Sequence, residues 1–358
     1  MEVEERLKLI REVGEEINTE EELKELIEKK GQLVAYDGFE PSGVVHIGSA
    51  ILRAINVNKM VKAGCKFKIL VADWHAWANN KMGGDLEKIQ TVGKYFIEVW
   101  KASGMDLDNI EFVWVSELVN NEDYWKKVMQ VAINSTLNRV IRCSQIMGRS
   151  EKDSLSAAQI LYPCMQAADI FHLKADICQL GMDQRKVNML AREVGEKIGF
   201  YKPIVVSHHM LMGLQQPSSE AEDAFERTIE QKMSKSNPDS AIFVHDSEEE
   251  VKRKLKKAYC PEEQVEENPV LEYCKYIIFE KFDEFVVERP DKFGGNIKFS
   301  NYGELEEAFS KKELHPMDLK EASAKYISEI LQPIRDHFEK NEEAKKLYEK
   351  VKSYKVTR

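Results

Sequence analysis

The stretch QLVAYDGFEPSGVVHIGSA, residues 32–50, decides the fold of this chain. Its first half, QLVAYDGF, is an apolar run of strand length, and EPSG is typical of a turn. A helical pattern then begins near His46 and continues to about residue 63, where Gly64 ends it. A strand that runs through a short turn into a helix is the repeating unit of a parallel sheet covered by helices.

The same alternation continues as far as residue 209. Short apolar runs predict five strands, at residues 32–39, 66–73, 110–117, 175–181 and 203–209. Between them, helical patterns occupy about residues 85–103, 121–147, 154–172 and 183–198. The predicted fold class is therefore α/β, a Rossmann-like doubly wound parallel sheet with helices on both faces. Ligands of such sheets bind beyond the carboxyl ends of the strands.

The segments on either side of the sheet differ from it. Residues 18–31 predict a helix that Thr19 caps, with Glu22 three residues later and Gly31 as the stop. Beyond residue 245 the patterns are helical and strongly charged, which a solvated helix surface alone would explain. We predict three units, with the last boundary near a short strand AIFVH: an N-terminal helical segment, 1–30, a catalytic domain with inserted helices, 31–245, and a mostly α-helical domain, 246–358.

Composition excludes several classes of protein. With 43% apolar and 32% charged residues among 358, the chain is typical of a soluble globular protein. No apolar run approaches the roughly 20 residues that span a bilayer, and the charged first residues are unlike a signal peptide, so we expect a cytoplasmic protein. The net charge of −10 argues against nucleic-acid binding over the whole surface but allows a local basic face. Six scattered cysteines without a C-x-x-C pair predict reduced, buried thiols and no structural metal.

Two short motifs suit the binding of phosphates. At the helix start that contains His46 and Gly48, free N–H groups and the positive dipole end favour an anion. Gly48 would let a nucleotide lie against the backbone, and His46 could donate to phosphate oxygens. Taken alone, however, a capping or packing histidine is commoner at a helix start.

The second motif is KMSKS, residues 232–236, which concentrates two lysines and two hydroxyls before a Ser-Asn-Pro tail that cannot continue a helix. A solvated surface loop would explain this motif equally well. Because one motif follows the first predicted strand and the other follows the last, the two can meet across one sheet and clamp a triphosphate.

With both motifs present, the chain resembles the class I aminoacyl-tRNA synthetases, whose signatures are HIGH and KMSKS. The second signature is matched at every position, whereas the first reads HIGS, with Ser49 where the family often has its last histidine. Four further stretches, YDGFEPSGVVHIG, LYPCMQAADI, GMDQRKVNMLAR and KELHPMDLK, occur in order and look like tyrosyl-tRNA synthetases of the archaeal and eukaryal type.

The resemblance implies ATP-dependent activation of L-tyrosine, with Mg²⁺ on the phosphates, and transfer of tyrosine to the 3′ end of tRNA(Tyr). It also implies a homodimer, for which the apolar helix at about 121–147 is the expected contact surface. The residues that it assigns are, for catalysis, His46, Lys232 and Lys235; for ATP, Gly48, Ser49, Lys232, Ser234, Lys235 and Ser236; for tyrosine, Tyr36, Tyr162, Gln166, Asp169 and Gln184; and for tRNA, Arg185, His315 and Asp318.

The spacing of three of these residues supports a substrate pocket independently. Tyr162, Gln166 and Asp169 fall at i, i+4 and i+7, on one face of a predicted helix. An ordinary polar helix face is the alternative, but the neighbouring residues are apolar, and a buried carboxylate requires a partner. Asp169 and Tyr36 paired on a phenol hydroxyl would explain how phenylalanine is rejected, because both groups would then be left unpaired.

Three alternatives remain at this stage. A tryptophanyl-tRNA synthetase shares the scaffold and both signatures, but a carboxylate beside a phenol suits a para-hydroxyl better. A nucleotidyl transferase that makes a small adenylate without tRNA would not need the C-terminal helical region. A catalytically silent paralogue that binds RNA or proteins is disfavoured by the intact lysines of residues 232–236.

Overall fold

The structure, a computed structural model, describes residues 1–148, 154–217, 233 and 238–354. Its helices are α1 Val3–Val13, α2 Glu20–Lys29, α3 Arg53–Lys62, α4 Asp73–Ala78, α5 Leu86–Ala102, α6 Val115–Leu118, α7 Glu122–Ile133, α8 Leu137–Cys143, α9 Ala157–His172, α10 Arg185–Gly195, α11 Glu248–Lys257, α12 Pro269–Tyr273, α13 Tyr302–Ser310, α14 Pro316–Lys340 and α15 Glu342–Lys352. Its strands are β1 Gly14–Asn18, β2 Leu33–Phe39, β3 Cys65–Val71, β4 Ile110–Trp114, β5 Ile177–Gly181, β6 Ile204–His208, β7 Phe285–Val287 and β8 Ile297–Phe299.

A six-stranded sheet with the order β1-β6-β5-β2-β3-β4 forms the centre of the fold. The five strands β2 to β6 are parallel and match the five predicted strands, so the predicted fold class is confirmed. The chain runs from β2 outward to β4 on one side and continues through β5 to β6 on the other. The direction reverses between β2 and β5, which makes their carboxyl ends the expected position of a ligand.

The first strand was not predicted. Within residues 1–30 the structure has α1 and α2 as expected, but it also has β1, which pairs antiparallel with β6. The register places Gly14 opposite His208 and Ile17 opposite Val206. The sequence of β1, GEEIN, carries little apolar character, so its conformation is decided by the sheet edge that it covers.

Three predicted elements have different local geometry. The helix expected at 121–147 is broken after Ile133, and Thr136 caps the new helix α8 by accepting a hydrogen bond from the N–H of Arg139 at 3.3 Å. Consecutive short polar side chains, which bond readily to nearby backbone, favour such a break. The helix after His46 begins with a wide π-helical turn before α3. The expected strand AIFVH is reduced to one antiparallel bridge between Phe243 and His46.

The region beyond residue 245 is mostly helical, as predicted, and adds the short hairpin of β7 and β8, which was not. One apolar core runs through both regions; it contains Leu7 and Phe67 as well as Leu255 and Leu331. All six cysteines are buried and free, as the sequence predicts. In the described part of the chain, no helix has the length and apolar character that crossing a membrane requires.

His209 joins three parts of the fold. It follows β6 directly, and its Nδ1 lies 3.3 Å from Glu15 of β1 while its Nε2 lies 3.2 Å from Glu272 of α12. Its ring stacks on Tyr276 at a centroid distance of 4.3 Å. Burial alone would lower the pKa of His209, but the hydrogen bonds with Glu15 and Glu272 outweigh burial and raise the pKa to about 9.

This junction predicts a pH-dependent contribution to stability. Because the folded-state pKa of His209 lies above its unfolded value, the stabilisation is complete below about pH 6.5 and is lost as pH rises through about 9. We expect His209→Gln to lower the free energy of unfolding by about 1–3 kcal/mol near pH 6, with Glu15 half-exposed and partly screened. Chemical denaturation of both proteins at pH 6 and pH 9.5 measures the difference. If the difference in free energy of unfolding between the two proteins were the same at both pH values, it would contradict this role.

Candidate active site

The residues predicted to bind an amino acid meet beside the carboxyl ends of β2 and β5. Tyr36 lies on β2 opposite Cys178 of β5, and it is 1% exposed. On α9, Tyr162, Gln166 and Asp169 are 5%, 7% and 0% exposed. The face of α9 that carries them is therefore interior, which excludes the alternative of an ordinary polar helix surface.

The carboxylate of Asp169 is held from two directions. The hydroxyl of Tyr124, on α7, donates to Oδ1 at 2.9 Å, and Nε2 of His75, on α4, lies 3.0 Å from Oδ2. Both neighbours are themselves buried, at 0% and 1% exposure. Oδ2 accepts no hydrogen bond of good geometry from the described residues, so Asp169 retains capacity for a further donor.

The hydroxyl of Tyr36 is buried and makes no hydrogen bond of good geometry with the described residues. Gln166 lies near enough to influence its pKa, as does the negative charge of Asp169. Burial, the largest cause, raises the pKa of Tyr36 well above its ordinary value, so the hydroxyl stays protonated and can donate. A buried hydroxyl without a partner is costly, and a ligand with a polar group at this position would relieve that cost.

Gln166 and Gln184 form a short chain of amides. Nε2 of Gln166 donates to Oε1 of Gln184 at 3.0 Å, and Nε2 of Gln184 donates to the carbonyl of Ile146 at 3.2 Å. Oε1 of Gln166 is buried and lacks a partner among the described atoms. This oxygen could accept a hydrogen bond from an ammonium group in the pocket.

Tyr162 is linked to a carboxylate that the sequence did not indicate as functional. Burial and a hydrogen bond to Glu40 raise the pKa of Tyr162 well above its ordinary value. Glu40, which follows β2, also accepts from Nδ2 of Asn79 at 3.1 Å and lies 3.6 Å from Nζ of Lys81. The pocket therefore contains a second negative charge at the end where Tyr162 stands.

The HIGS motif is arranged around its own histidine. The N–H of Ser49 donates to Nδ1 of His46 at 3.3 Å, and the hydroxyl of Ser49 lies 3.0 Å from Nε2. A Cβ atom at Gly48 would lie 3.3 Å from the His46 ring. A side chain at position 48 would therefore crowd the imidazole of His46, whereas glycine leaves room for the ring. Ser49 stands in contact with that ring.

Residues 242–244, which follow the KMSKS motif, are hydrogen-bonded to the backbone of residues 45–47 beside the HIGS motif. The N–H of Ile47 donates to the carbonyl of Ile242 at 2.8 Å, and the N–H of Val244 donates to the carbonyl of Val45 at 3.0 Å. Met233 is 7% exposed and belongs to the same apolar core as Val45. The other four residues of the motif, Lys232, Ser234, Lys235 and Ser236, lie outside the described residues.

A buried ion pair at the end of β2 was also missed by the sequence analysis. Nε of Arg53, on α3, lies 2.7 Å from Oδ2 of Asp37, and the guanidinium stands over the rings of Phe39 and Trp100. Burial raises the pKa of Asp37 to about 6, although Arg53 opposes that shift. The pair brings a fixed cation to the helix that follows HIGS.

The three predicted tRNA contacts lie apart from the pocket or at its edge. Arg185 is the first residue of α10 and forms a bidentate ion pair with Glu16 of β1. His315 is exposed and caps α14, because its Nδ1 accepts from the N–H of Met317 at 3.1 Å. Asp318, in the first turn of α14, is half-buried.

The missed residues carried only weak signals in the sequence. His75 follows β3, at the edge of the sheet where ligands bind, and Glu40 follows β2 at the same edge. Either position could have been proposed on those grounds. Nothing in the pattern of α7 marks Tyr124, because an aromatic residue on an apolar helix face is ordinarily core.

Comparison with known proteins agrees with this geometry. The family model described as tRNA synthetases class I (W and Y) matches residues 28–332. The chain therefore belongs to the class I tRNA synthetases of the tryptophan and tyrosine group.

Within that group the similarity is to tyrosine–tRNA ligases. Tyrosine–tRNA ligase 1, cytoplasmic, of Arabidopsis thaliana is 55% identical over 360 residues, which cover 100% of this chain and 90% of the relative. The crystal structure of tyrosyl-tRNA synthetase complexed with L-tyrosine from Pyrococcus horikoshii is 41% identical, covers 98% of this chain and 100% of that one, and superposes with a TM-score of 0.90. A tryptophanyl-tRNA synthetase from Aeropyrum pernix, at 18% identity and a TM-score of 0.67, shares the fold alone.

Proposed function

We propose that this protein is a tyrosine–tRNA ligase, which activates L-tyrosine with ATP and transfers it to the 3′ end of tRNA(Tyr). The observation that carries the proposal is the pairing of two buried groups in one pocket. Tyr36 offers a hydroxyl that makes no hydrogen bond of good geometry with the described residues, and the carboxylate of Asp169 can accept a further hydrogen bond. Both suit a ligand with a para-hydroxyl, and the similarity to tyrosine–tRNA ligases supports the same substrate.

The rest of the pocket would orient the substrate for attack. Gln166, Gln184 and Tyr162 would hold the amino group, and Glu40 adds the negative charge that an ammonium needs. The carboxylate of tyrosine then faces the phosphate site. Holding two reactants in this relation supplies a large share of the rate, because no protein nucleophile is required.

The first step is an in-line displacement on ATP. An oxygen of the tyrosine carboxylate forms a bond to the α-phosphorus, and the bond to the bridging oxygen breaks, releasing pyrophosphate. His46, Lys232 and Lys235 would stabilise the phosphates, with Gly48, Ser49, Ser234 and Ser236 as further contacts and Mg²⁺ entering with ATP. The close approach of residues 242–244 to residues 45–47 supports a clamp of this kind.

The second step consumes the adenylate. A hydroxyl of the terminal adenosine of tRNA attacks the activated carbonyl carbon, and the bond from that carbon to the phosphate oxygen breaks to release AMP. Residues 246–358 would serve as the anticodon-binding domain, in which His315 and Asp318 contact bases by stacking and hydrogen bonding. Arg185 would help to place the acceptor end from its position beside the pocket.

Homodimer formation is part of the proposal. Three large apolar side chains stand exposed in sequence on α7 and α8: Met129 at 55%, Ile133 at 76% and Leu137 at 59%. Beside them an apolar groove of about 270 Å³ lies between α7, α8 and α9. A contiguous apolar patch of this kind marks an interface, and a second copy of the chain is its expected occupant.

A cytoplasmic location is supported by the name of the Arabidopsis relative.

Tyrosine activation is tested by amino-acid-dependent exchange of pyrophosphate into ATP. We expect exchange with tyrosine and very little with phenylalanine or tryptophan, because only tyrosine satisfies Tyr36 and Asp169. Lys235→Ala should slow adenylate formation by about 10- to 100-fold, the loss of one phosphate contact, with tyrosine affinity retained. Lys298→Ala, on the exposed face of β8, is the matched control. Equal exchange with phenylalanine, or none with tyrosine, would overturn the proposed substrate.

The role of His315 is tested with two variants that separate stacking from capping. His315→Ala removes the ring and the cap of α14, whereas His315→Asn removes the ring and keeps a capping side chain. We expect both to lower kcat/KM for tRNA charging by about tenfold, the loss of one stacked base, and to leave pyrophosphate exchange unchanged. Full charging activity in His315→Asn would show that capping is the whole role of this residue.

The proposed dimer interface is tested by introducing a charged side chain into it. Ile133→Glu places a carboxylate in the centre of the exposed apolar patch, and burying it would cost more than the patch contributes. We expect a monomer by sedimentation velocity at concentrations where the wild type is a dimer. Ile133→Val keeps the apolar surface and should remain dimeric. A dimer with Ile133→Glu would place the interface elsewhere.

A further inference from the structure

The carboxyl group of Asp169 is fully buried and already contacted before any substrate arrives. Moving a carboxylate from water to an apolar interior costs several kcal/mol unless donors or cations compensate it. The described contacts that provide this compensation are those of Tyr124 at 2.9 Å and His75 at 3.0 Å. Neither residue was indicated as part of the site by the sequence analysis.

The position of His75 is fixed by a framework of its own. It lies on α4, whose first residue, Asp73, is fully buried. Oδ1 of Asp73 accepts from the N–H of Ser116, and Oδ2 accepts from Nε2 of Gln90, both at 3.0 Å. The ring of Tyr162 packs edge-on against His75 at 4.7 Å. These hydrogen bonds join α4 to α5 and α6, and the ring contact with Tyr162 restricts the imidazole. The position of His75 therefore does not depend on Asp169 alone.

The surroundings of His75 favour its protonated form. Burial alone would lower the pKa of His75, but the charge and hydrogen bond of Asp169 outweigh burial and raise it, with smaller contributions from Glu40 and Asp73. Tyr36, Tyr124 and Tyr162 also face the pair, and each has a raised pKa, so each stays neutral. A raised pKa favours a His75 that donates to Asp169, and a carboxylate can accept a hydrogen bond but cannot donate one.

We propose that His75 and Tyr124 are positioning residues that set substrate choice through Asp169, by holding its carboxyl group aimed at the hydroxyl of the substrate. The proposal rests on the proposed function, because it concerns the same pocket. An acceptor-only carboxylate is satisfied by a phenol and is left unpaired by phenylalanine. Without the contact from His75, the carboxyl group of Asp169 could turn away from the substrate, and phenylalanine would then meet a smaller penalty.

The experiment measures the ratio of kcat/KM for tyrosine to kcat/KM for phenylalanine in pyrophosphate exchange. We expect His75→Ala to lower this ratio by about 10- to 100-fold, the effect of losing a hydrogen bond to a charged group, with KM for ATP unchanged. His75→Gln, whose amide can still donate to Asp169, should recover most of the discrimination. His337→Gln is the matched control, because His337 contacts Glu98 at 2.9 Å away from the pocket.

Each result decides between a positioning role and an ordinary core histidine. A folded His75→Ala protein with the wild-type ratio would overturn the role of His75. If that variant fails to fold, Tyr124→Phe removes the other contact from Asp169 at almost constant volume, and an unchanged ratio there would overturn the shared mechanism. Wild-type protein that shows no preference for tyrosine would instead refute the proposed function, so the two failures are distinguishable.

Discussion

The carboxylate of Asp169 has no access to water, and contacts from two other helices hold it in place. Its partners come from separate elements, since Tyr124 lies on α7 and His75 lies on α4, beyond the carboxyl end of β3. These helices must therefore close on α9 for the charge to be stable, which ties packing of the core to the chemistry of the pocket. Contacts from several elements hold the groups of such a site in place, and the proposed penalty on a ligand without a hydroxyl depends on that.

Alternation along one strand divides the site into two sides. Successive residues of β2 point to opposite faces of the sheet, so Tyr36 joins the core beside α9 while its neighbour Asp37 faces α3. On the second side Arg53 pairs with Asp37 in the helix that HIGS begins. Tyr36 and the Asp37–Arg53 ion pair are thus adjacent in sequence but lie on opposite faces of the sheet.

The C-terminal region is coupled to this sheet by direct contacts. The segment that bonds to Val45 and Ile47 leads into α11, and His209 bridges β1 and α12 through two carboxylates. The apolar core continues through both regions. A region proposed to read RNA and a sheet proposed to activate an amino acid therefore share backbone, charge and packing, and a shift in one would be felt by the other.

The amino-acid sequence by itself determined the five parallel strands and the buried face of α9, because these depend on local periodicity and on residue types at fixed spacing. It did not determine that β1 would join the sheet, that the helix after Glu122 would break near Thr136, or that His75 and Tyr124 would meet Asp169. Those outcomes depend on contacts between residues that are distant in the sequence. Periodicity reports which face of an element is buried, whereas the partner that covers a buried charge is chosen only when the whole chain has closed around it.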